Sequence, residues 1–452
     1  MTGLEAFLRV FDRLPSGAVE AEVNAETHTF GRVVVHDGAV IDADQSEQSA
    51  YYARVSGERT GYAYCQGLPE DPAEFIREGF ENSAHSEKGG PDEIRRGSLA
   101  VKQDFGVVPA VSDISLLARY AEKFEKEFRS LNRRLSDAFV TLRAETVGLR
   151  TINSHGLDVR SVRPLYIMSV DFNAAAAGGQ IAGTYNRTAS SPDAFDPEEF
   201  ARSAGETVGS RLNPGPFRSG ACRTVLQKNV VYNIMSTAWQ LFSGHRYLEG
   251  SCMLSGKLGQ PVASPALRIV DRPSHGESGF SIPCDCEGTP GASVAILSDG
   301  FLTGLMHNLA TAIALSAEPT GNAGRRPLLS GNIPTDILVT PRNFCVEPGS
   351  NTLEELIGKM GDGLLVTESS DIFHSINIAS GAFSIPCRGI VIRGGERATS
   401  TGPLTMSGNL KELMESVEEA GNDFYLGTML ALDNYGIGAC SLRVGKMDFS
   451  GA

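Results

Sequence analysis

The sequence predicts an α+β protein of two domains: a mixed α/β N-terminal domain with antiparallel strands and a largely β C-terminal domain. Glycine is frequent, 50 of 452 residues, and much of it sits in turn-forming dipeptides, which favours hairpins over long helical bundles. Strand-period and helix-period segments come in separate runs. One stretch dense in proline and glycine, "NPGPFRSG" at 213–220, suits no regular structure. It divides the chain into domains 1–215 and 216–452, as expected for a length too great for one core.

Taken in order, residues 4–13 fit a short amphipathic helix with Leu4, Phe7, Leu8 and Phe11 on one side. From Ala18 to Cys65 the period is two. "EAEVNAETHTF", "GRVVVHDGAVIDADQS" and "YYARVSGERTGYAYC" read as strands broken at Asp37-Gly38 and Ser56-Gly57, pairs that accept positive φ. A helix follows at about 72–84. In "SDISLLARYAEKFEKEFRSLN" Ser112 or Asp113 supplies the cap, and Leu117, Ala121, Phe124, Phe128 and Leu131 recur every three or four residues. Strands return at 138–147 and 149–154, "NSHG" (153–156) turns the chain, "RPLYIMSVDFNA" is a further strand, and a capped helix starts near Asp196.

Past the linker, "NIMSTAWQLF" (233–242) holds the only tryptophan. It reads as a helix with an apolar stripe through Val231, Ile234, Met235, Ala238, Leu241 and Phe242, and it carries no acid, base, thiol or metal ligand. The remainder is strand-rich, with hairpin signals at Asp299-Gly300 and Gly394-Gly395 and helices near 353–360 and 410–420.

The net charge of -14 argues against nucleic acid as a main partner, because a phosphate backbone is repelled at long range. No window approaches the ~18 apolar residues of a membrane span. The opening "MTGLEAFLRVFDRLP" lacks the basic region of a signal peptide. Eight scattered cysteines do not form a disulfide framework, so a reducing cytoplasm is the expected setting.

Candidate chemistry is sparse. "FSIPCDCEG" (280–288) and "FSIPCRG" (383–389) share five residues. Cys284, Cys286 and Cys387 would need His275 or His374 to make a soft metal site. C-x-C alone does not establish one, and buried, inert thiols are the favoured reading. Cys387 beside Arg388 is the best thiolate candidate, since a neighbouring cation lowers a thiol pKa. "HRYLE" (245–249) offers a ligand pair at helical spacing, but flanking glycines favour a polar surface turn. "TGNAGRR" (320–326) and "GKLGQP" (256–261) match no phosphate-binding loop.

Several segments together resemble the TldD/PmbA family of cytoplasmic metallopeptidase subunits, long named modulators of DNA gyrase. "VHDGAVIDADQS" and "RVSGERTGYAYC" look like its N-terminal strands, and "NSHG" matches an N-S-x-G turn. "LSGKLGQP", "CDCEGTP", "LSDGFLTGLM", "PTGNAGRRP", "PRNFCVEPG", "GDGLLVTE", "SGNL", "GNDF" and "LRVGKMDFSG" follow in family order over nearly the whole chain. Cys284, Cys286 and the "FSIPCRG" strand depart from it.

The resemblance implies two subunits paired around an enclosed cavity. In the TldD type, a helix after the linker bears H-E-x-x-x-H, whose histidines bind zinc with a cysteine from the C-terminal domain; its glutamate acts as base on a metal-bound water. Here that slot is "STAWQL", with Ser236, Thr237 and Leu241 where ligands would stand. The chain therefore resembles the PmbA (TldE) type, with no catalytic residue and no metal of its own. Zinc is expected on a TldD-like partner, in a heterodimer that cleaves small or unfolded peptides such as leader peptides of modified peptide natural products. The third-ligand region falls near "DIFHSINIASG", which points to His374, Ser375, Asn377 and Ser380 as residues facing peptide or cavity. The alternatives are a homodimeric peptide-binding or scaffold protein, and an enzyme built on the unusual cysteines. The gyrase name gains no physical support from so acidic a chain.

Overall fold

The structure, a computed structural model, describes residues 4–85, 94–96, 102–103, 113–131, 135–176, 179–212, 214–276, 283–325, 337–428 and 435–451. Ser112, part of "FSIPCDCEG" and Arg326 lie outside them.

The N-terminal half is built on one seven-stranded sheet. Its members are β1 (Glu20–His36), β2 (Ala39–Ser56), β3 (Thr60–Gln66), the two-residue β4 (Lys102–Gln103), β5 (Leu135–Asn153), β6 (Asp158–Ala176) and β7 (Gly179–Ala189). The order is β3-β2-β1-β5-β6-β4, with β7 also on β6. The expected strands at 138–147 and 149–154 are one continuous β5. The Asp37-Gly38 turn has both residues at positive φ, 51° and 73°, the geometry a two-residue hairpin demands. Both turn N–H groups donate to the buried carboxylate of Glu125, at 2.9 and 2.8 Å.

Alternation along β1 gives the sheet one apolar face, covered along its length by helices, and an opposite polar face that is buried over Glu20–Asn24 and half-buried beyond. Ala21, Val23 and Ala25, with Ala53, Val55 and Ile152, pack with Leu4 and Phe7 of α1 (Glu5–Phe11) and Phe75 and Ile76 of α2 (Pro72–Glu81). Val33, Val35 and Leu142 join α3 (Ile114–Leu131) and α4 (Pro197–Arg211) through Phe124, Phe128 and Phe200. Asp113 and Asp196 cap α3 and α4 as expected. Leu8 and Leu131, expected on the buried stripes, are 42% and 50% exposed.

The C-terminal half begins with β8 (Gly220–Leu226) and α5 (Lys228–Ala238), followed by a 3-10 turn, Trp239–Phe242, and α6 (Gly244–Leu248). The short strands β9 (Ile269–Arg272), β10 (Val294–Ser298), β11 (Phe301–Leu302), β14 (Asn343–Val346), β20 (Tyr425–Gly427) and β21 (Gly436–Ala439) form a six-stranded sheet; β12 (Ala323–Gly324) pairs with β13 (Leu338–Val339). A second seven-stranded sheet contains β8, β15 (Gly363–Ser369), β16 (Ala382–Arg393), β17 (Glu396–Ser400), β18 (Leu404–Asn409), β19 (Val417–Ala420) and β22 (Leu442–Gly451). Pairing of β15 with β16 closes β16-β15-β8-β22-β18 into a ring. α5 lies between the two sheets, touching β15 and β21. The remaining helices are α7 (Leu309–Ala314), α8 (Leu353–Met360), α9 (Ile372–Ser375) and α10 (Leu410–Glu415).

Two expectations change. The helix read at 410–420 stops at Glu415, because Val417 and Ala420 pair with Val444 and Leu442 of β22. "HRYLE" is helical rather than a turn: it begins in α6, and His245 Nε2 lies 3.1 Å from Glu249 Oε1. Gly244 does not break that helix. A Cβ there would lie 2.6 Å from His307 Nδ1, so the glycine permits close packing.

The polar face of the N-terminal sheet meets the C-terminal half in a buried junction. Glu22, Asn24 and Arg54 are each at most 1% exposed. Arg54 pairs with Glu22 at 3.3 Å and with Glu287 at 3.0 Å. Asn24 donates to the carbonyl of Cys286 at 2.6 Å and accepts from Arg325 Nε at 2.9 Å. Behind this contact, Asp285 accepts from the N–H groups of Glu287, Thr289 and Ala323, and Asp271 accepts from Asn322 Nδ2 and the Arg342 N–H. Burial pushes both carboxyls up, Asp271 to about 6; for Asp285 the nearby Glu287 charge adds to the burial effect.

Replacing Arg54 by Ala leaves Glu22 and Glu287 buried without their cation. The expected loss is ~3–5 kcal/mol of unfolding free energy in a urea titration. The raised Asp271 pKa makes the folded chain hold a proton that the unfolded chain has released, from the usual 3.8 up to about 6. Its contribution to stability is thus complete below pH 3.8 and falls as pH rises through about 6. Urea titrations across that interval should show a steeper fall for the wild type than for Asp271→Asn; parallel curves would contradict the assignment.

Candidate functional site

α5 forms because Val230, Val231, Ile234, Met235 and Ala238 give it a continuous buried face. Its first N–H donates to Ser441 Oγ at 3.0 Å. Its polar face is tied to β15: Asn229 Nδ2 donates to the Thr367 carbonyl at 2.7 Å, and Asn233 Nδ2 to the Ser369 carbonyl and hydroxyl at 3.2 and 3.0 Å.

The slot Ser236, Thr237, Leu241 falls where α5 passes into the 3-10 turn. All three side chains are buried, at 1%, 3% and 0% exposure. The Ser236 hydroxyl donates to the Asn233 carbonyl at 2.5 Å, and Leu241 offers no donor atom. Trp239 packs edge-on against Tyr435, ring centroids 5.7 Å apart. Zinc needs imidazole, thiolate or carboxylate ligands, so these residues do not fit the metal. Among the described residues, no group of three His, Cys, Asp or Glu side chains is placed to hold one.

The His374 segment does come beside the slot helix. α9 touches α5, with Ile372 buried in the same core. The His374 side chain is 83% exposed, its Nδ1 2.6 Å from Asp371 Oδ1. Ser375 donates its N–H to the Asp371 carbonyl at 3.1 Å. Asn377 Oδ1 accepts the Ser380 N–H at 3.0 Å, and Ser380 Oγ accepts the Ala382 N–H at 3.3 Å. Asn377 and Ser380 thus close the turn into β16, and His374 keeps an accessible imidazole.

The cysteines are not brought together. Cys284 packs with Leu157 and Val159, Cys286 with Ala323 and Ile337, and Cys387 within the main C-terminal core. Burial pushes the Cys284 and Cys387 thiols up to about 12 and raises Cys286 as well. Burial thus outweighs any help from Arg388, and no thiolate nucleophile forms at Cys387 near neutral pH. His275 stacks on Phe424, centroids 4.8 Å apart.

Sequence reasoning missed a cleft of about 800 Å³ between the halves of the chain. One wall is Gly183–Asn186 of β7 and the Ser203–Arg211 side of α4; the other is the first turns of α5, with β15 and β17. Its aromatic floor joins both halves: Tyr185 lies 6.1 Å from Tyr425, which lies 5.2 Å from Tyr232. Two guanidinium–carboxylate pairs brace it. Arg211 holds Glu368 through Nε at 2.8 Å and Nη2 at 2.6 Å, and Arg397 holds Glu354 at 2.7 and 2.6 Å. Asn229, Tyr232 and Asn233 at helical spacing were the only sequence signal for it.

Comparison with known proteins places these features. Residues 219–451 match the profile of the PmbA/TldA metallopeptidase C-terminal domain, and residues 109–212 that of the PmbA/TldA metallopeptidase central domain. A Methanothermobacter thermautotrophicus metalloprotease is 29% identical over 238 residues, 51% of this chain and 50% of that protein. Metalloprotease PmbA of Escherichia coli O157:H7 is 23% identical over 231 residues, 51% and 48% of the two chains. The chain thus spans about half the length of the curated relatives it matches. A Thermotoga maritima structure described as a modulator of a DNA gyrase superposes with a TM-score of 0.84 at 24% identity, over 99% of each chain. TldE from Thermococcus kodakarensis gives 0.82 at 20% identity over 100% of each. At that identity the likeness is one of fold.

The thiol chemistry is checkable. At pH 8 an aromatic disulfide reagent should modify Cys284, Cys286 and Cys387 of the folded chain only as it unfolds, far slower than a free thiol. Rapid labelling mapped to any of them by mass spectrometry would refute the burial argument.

Proposed function

The chain belongs to the PmbA/TldA metallopeptidase family, and we propose that it is the metal-less, TldE-like subunit of a two-subunit zinc peptidase. Its partner would be a TldD-like chain carrying H-E-x-x-x-H and the zinc. The substrates would be small or unfolded peptides, such as leader peptides of modified peptide natural products. The observation that carries this reading is the slot on α5: Ser236, Thr237 and Leu241 are packed into the core and supply no imidazole or carboxylate. The chain would complete the chamber, with the exposed turn bearing His374, Ser375, Asn377 and Ser380 facing peptide or partner. We place the domain boundary at 215/216; the N-terminal sheet and the C-terminal sheets share no strand.

The test is to purify the chain alone and co-expressed with a TldD-like subunit, then measure bound zinc and cleavage of an unfolded peptide. The lone chain should hold no stoichiometric zinc and cleave nothing; the pair should do both, and a chelator should stop cleavage. Chelator-sensitive cleavage by the lone chain would overturn the reading. A stable homodimer that ignores the TldD-like chain would favour a homodimeric peptide-binding or scaffold role.

A further inference from the structure

We propose that the interdomain cleft binds a short peptide with a free carboxylate, held in extended form as an added strand on the outer edge of β7. This rests on the peptide-handling reading above for its biological setting, and adds to it a second peptide site, away from α9 and the slot on α5.

β7 pairs with β6 and with no other described strand. Two of its carbonyls are taken from outside the sheet. Ala182 accepts from Arg211 Nη1 at 2.5 Å, and Asn186 accepts from Tyr425 Oη at 2.8 Å. Backbone groups along an antiparallel strand point alternately to one edge and the other. Ala182, Thr184 and Asn186 therefore share the outer edge, and the N–H and carbonyl of Thr184 open into the cleft between two occupied positions.

The neighbouring residue keeps this stretch bare. The Phe172 ring covers Gly183, where a Cβ would lie 2.4 Å from Cζ. The strand here presents backbone, and an unpaired N–H and carbonyl side by side are complemented by the backbone of another extended chain. Arg211 is fixed by Glu368 and Tyr425 by its ring contacts, so both ends of the opening are rigid.

The size and charge of the cleft select the occupant. Ala182 to Asn186 spans about 13 Å of strand, which matches a peptide of roughly four residues. The cleft volume, about 800 Å³, lies within the range of small-ligand sites. Of the charged residues that line it, Arg211 and Arg397 are engaged by Glu368 and Glu354, and the Glu206 carboxylate accepts from Gln227 Nε2 at 3.2 Å. Lys228, in the first turn of α5 on the opposite wall, pairs with no carboxylate of the described residues, and a peptide α-carboxylate supplies that anion.

The test uses the full chain without a partner subunit and calorimetric titration of the tetrapeptide Ala-Val-Thr-Val. Controls are its C-terminal amide and an analogue N-methylated at every amide. The tetrapeptide should bind; N-methylation should weaken it by about tenfold or more, the worth of two backbone hydrogen bonds. Thr184→Pro removes only an outward N–H, which an edge strand tolerates. It should melt within a few degrees of the wild type and lose binding by a similar factor, while Thr184→Val keeps it. Lys228→Met should abolish the preference for the free carboxylate over the amide.

Absence of binding to the wild type, equal binding of the N-methylated peptide, or retained binding in Thr184→Pro would each overturn the proposal. So would a large drop in melting temperature of Thr184→Pro, because its N–H would then belong to the ladder. Failure here with partner-dependent cleavage intact removes this site alone. Peptide binding without any partner-dependent cleavage removes the subunit reading alone.

Discussion

Arg54 sits between Glu22 of its own sheet and Glu287 of the C-terminal half, nearly sealed from water, and the arrangement of the two halves depends on that contact. A buried guanidinium costs several kcal/mol to desolvate and is tolerated only when its acceptors are in place. The two halves cannot slide apart without stranding it. Asn24 adds directional bonds to Cys286 and Arg325. A hydrophobic interface of the same size would tolerate small rotations; hydrogen bonds to fixed carbonyls and carboxylates do not.

This contact sets the rest of the geometry. With β1 and β2 fixed against the Cys284–Gly288 loop, the far side of the N-terminal sheet brings β7 and α4 up to α5, β15 and β20. The contacts made there are of another kind: a chain of edge-on and tilted aromatic contacts from Phe200 through Tyr185 and Tyr425 to Tyr232, and the Arg211–Glu368 clamp. Between them remains a cleft whose walls come from strands and helices rather than loops. Such walls hold a binding geometry with little reorganisation.

α5 carries the other half of the functional argument. It is buried between two sheets, and its two asparagines are spent on the β15 backbone. Ser236, Thr237 and Leu241 are small or apolar and packed, so at this point the helix contributes packing between the sheets. The neighbouring turn at His374 keeps its side chain exposed, its Nδ1 beside Asp371.

The sequence by itself determined the local structure. The Asp-Gly and Gly-Gly hairpins, the Asp113 and Asp196 caps and the helix at 353–360 lie where residue chemistry puts them, because each depends on a few neighbouring residues. Ordered short motifs also carried the family. What only the tertiary structure decided is what covers each face. In "EAEVNA" and "YYARVS" the alternation separates apolar from polar positions, but it cannot say that Glu22, Asn24 and Arg54 face another domain rather than water. Glycines beside "HRYLE" read as breakers until Gly244 is seen packed on His307. The cleft was invisible for the same reason: its residues come from eight separate stretches of chain, and only long-range contacts bring Thr184, Arg211, Lys228 and Tyr425 to one place.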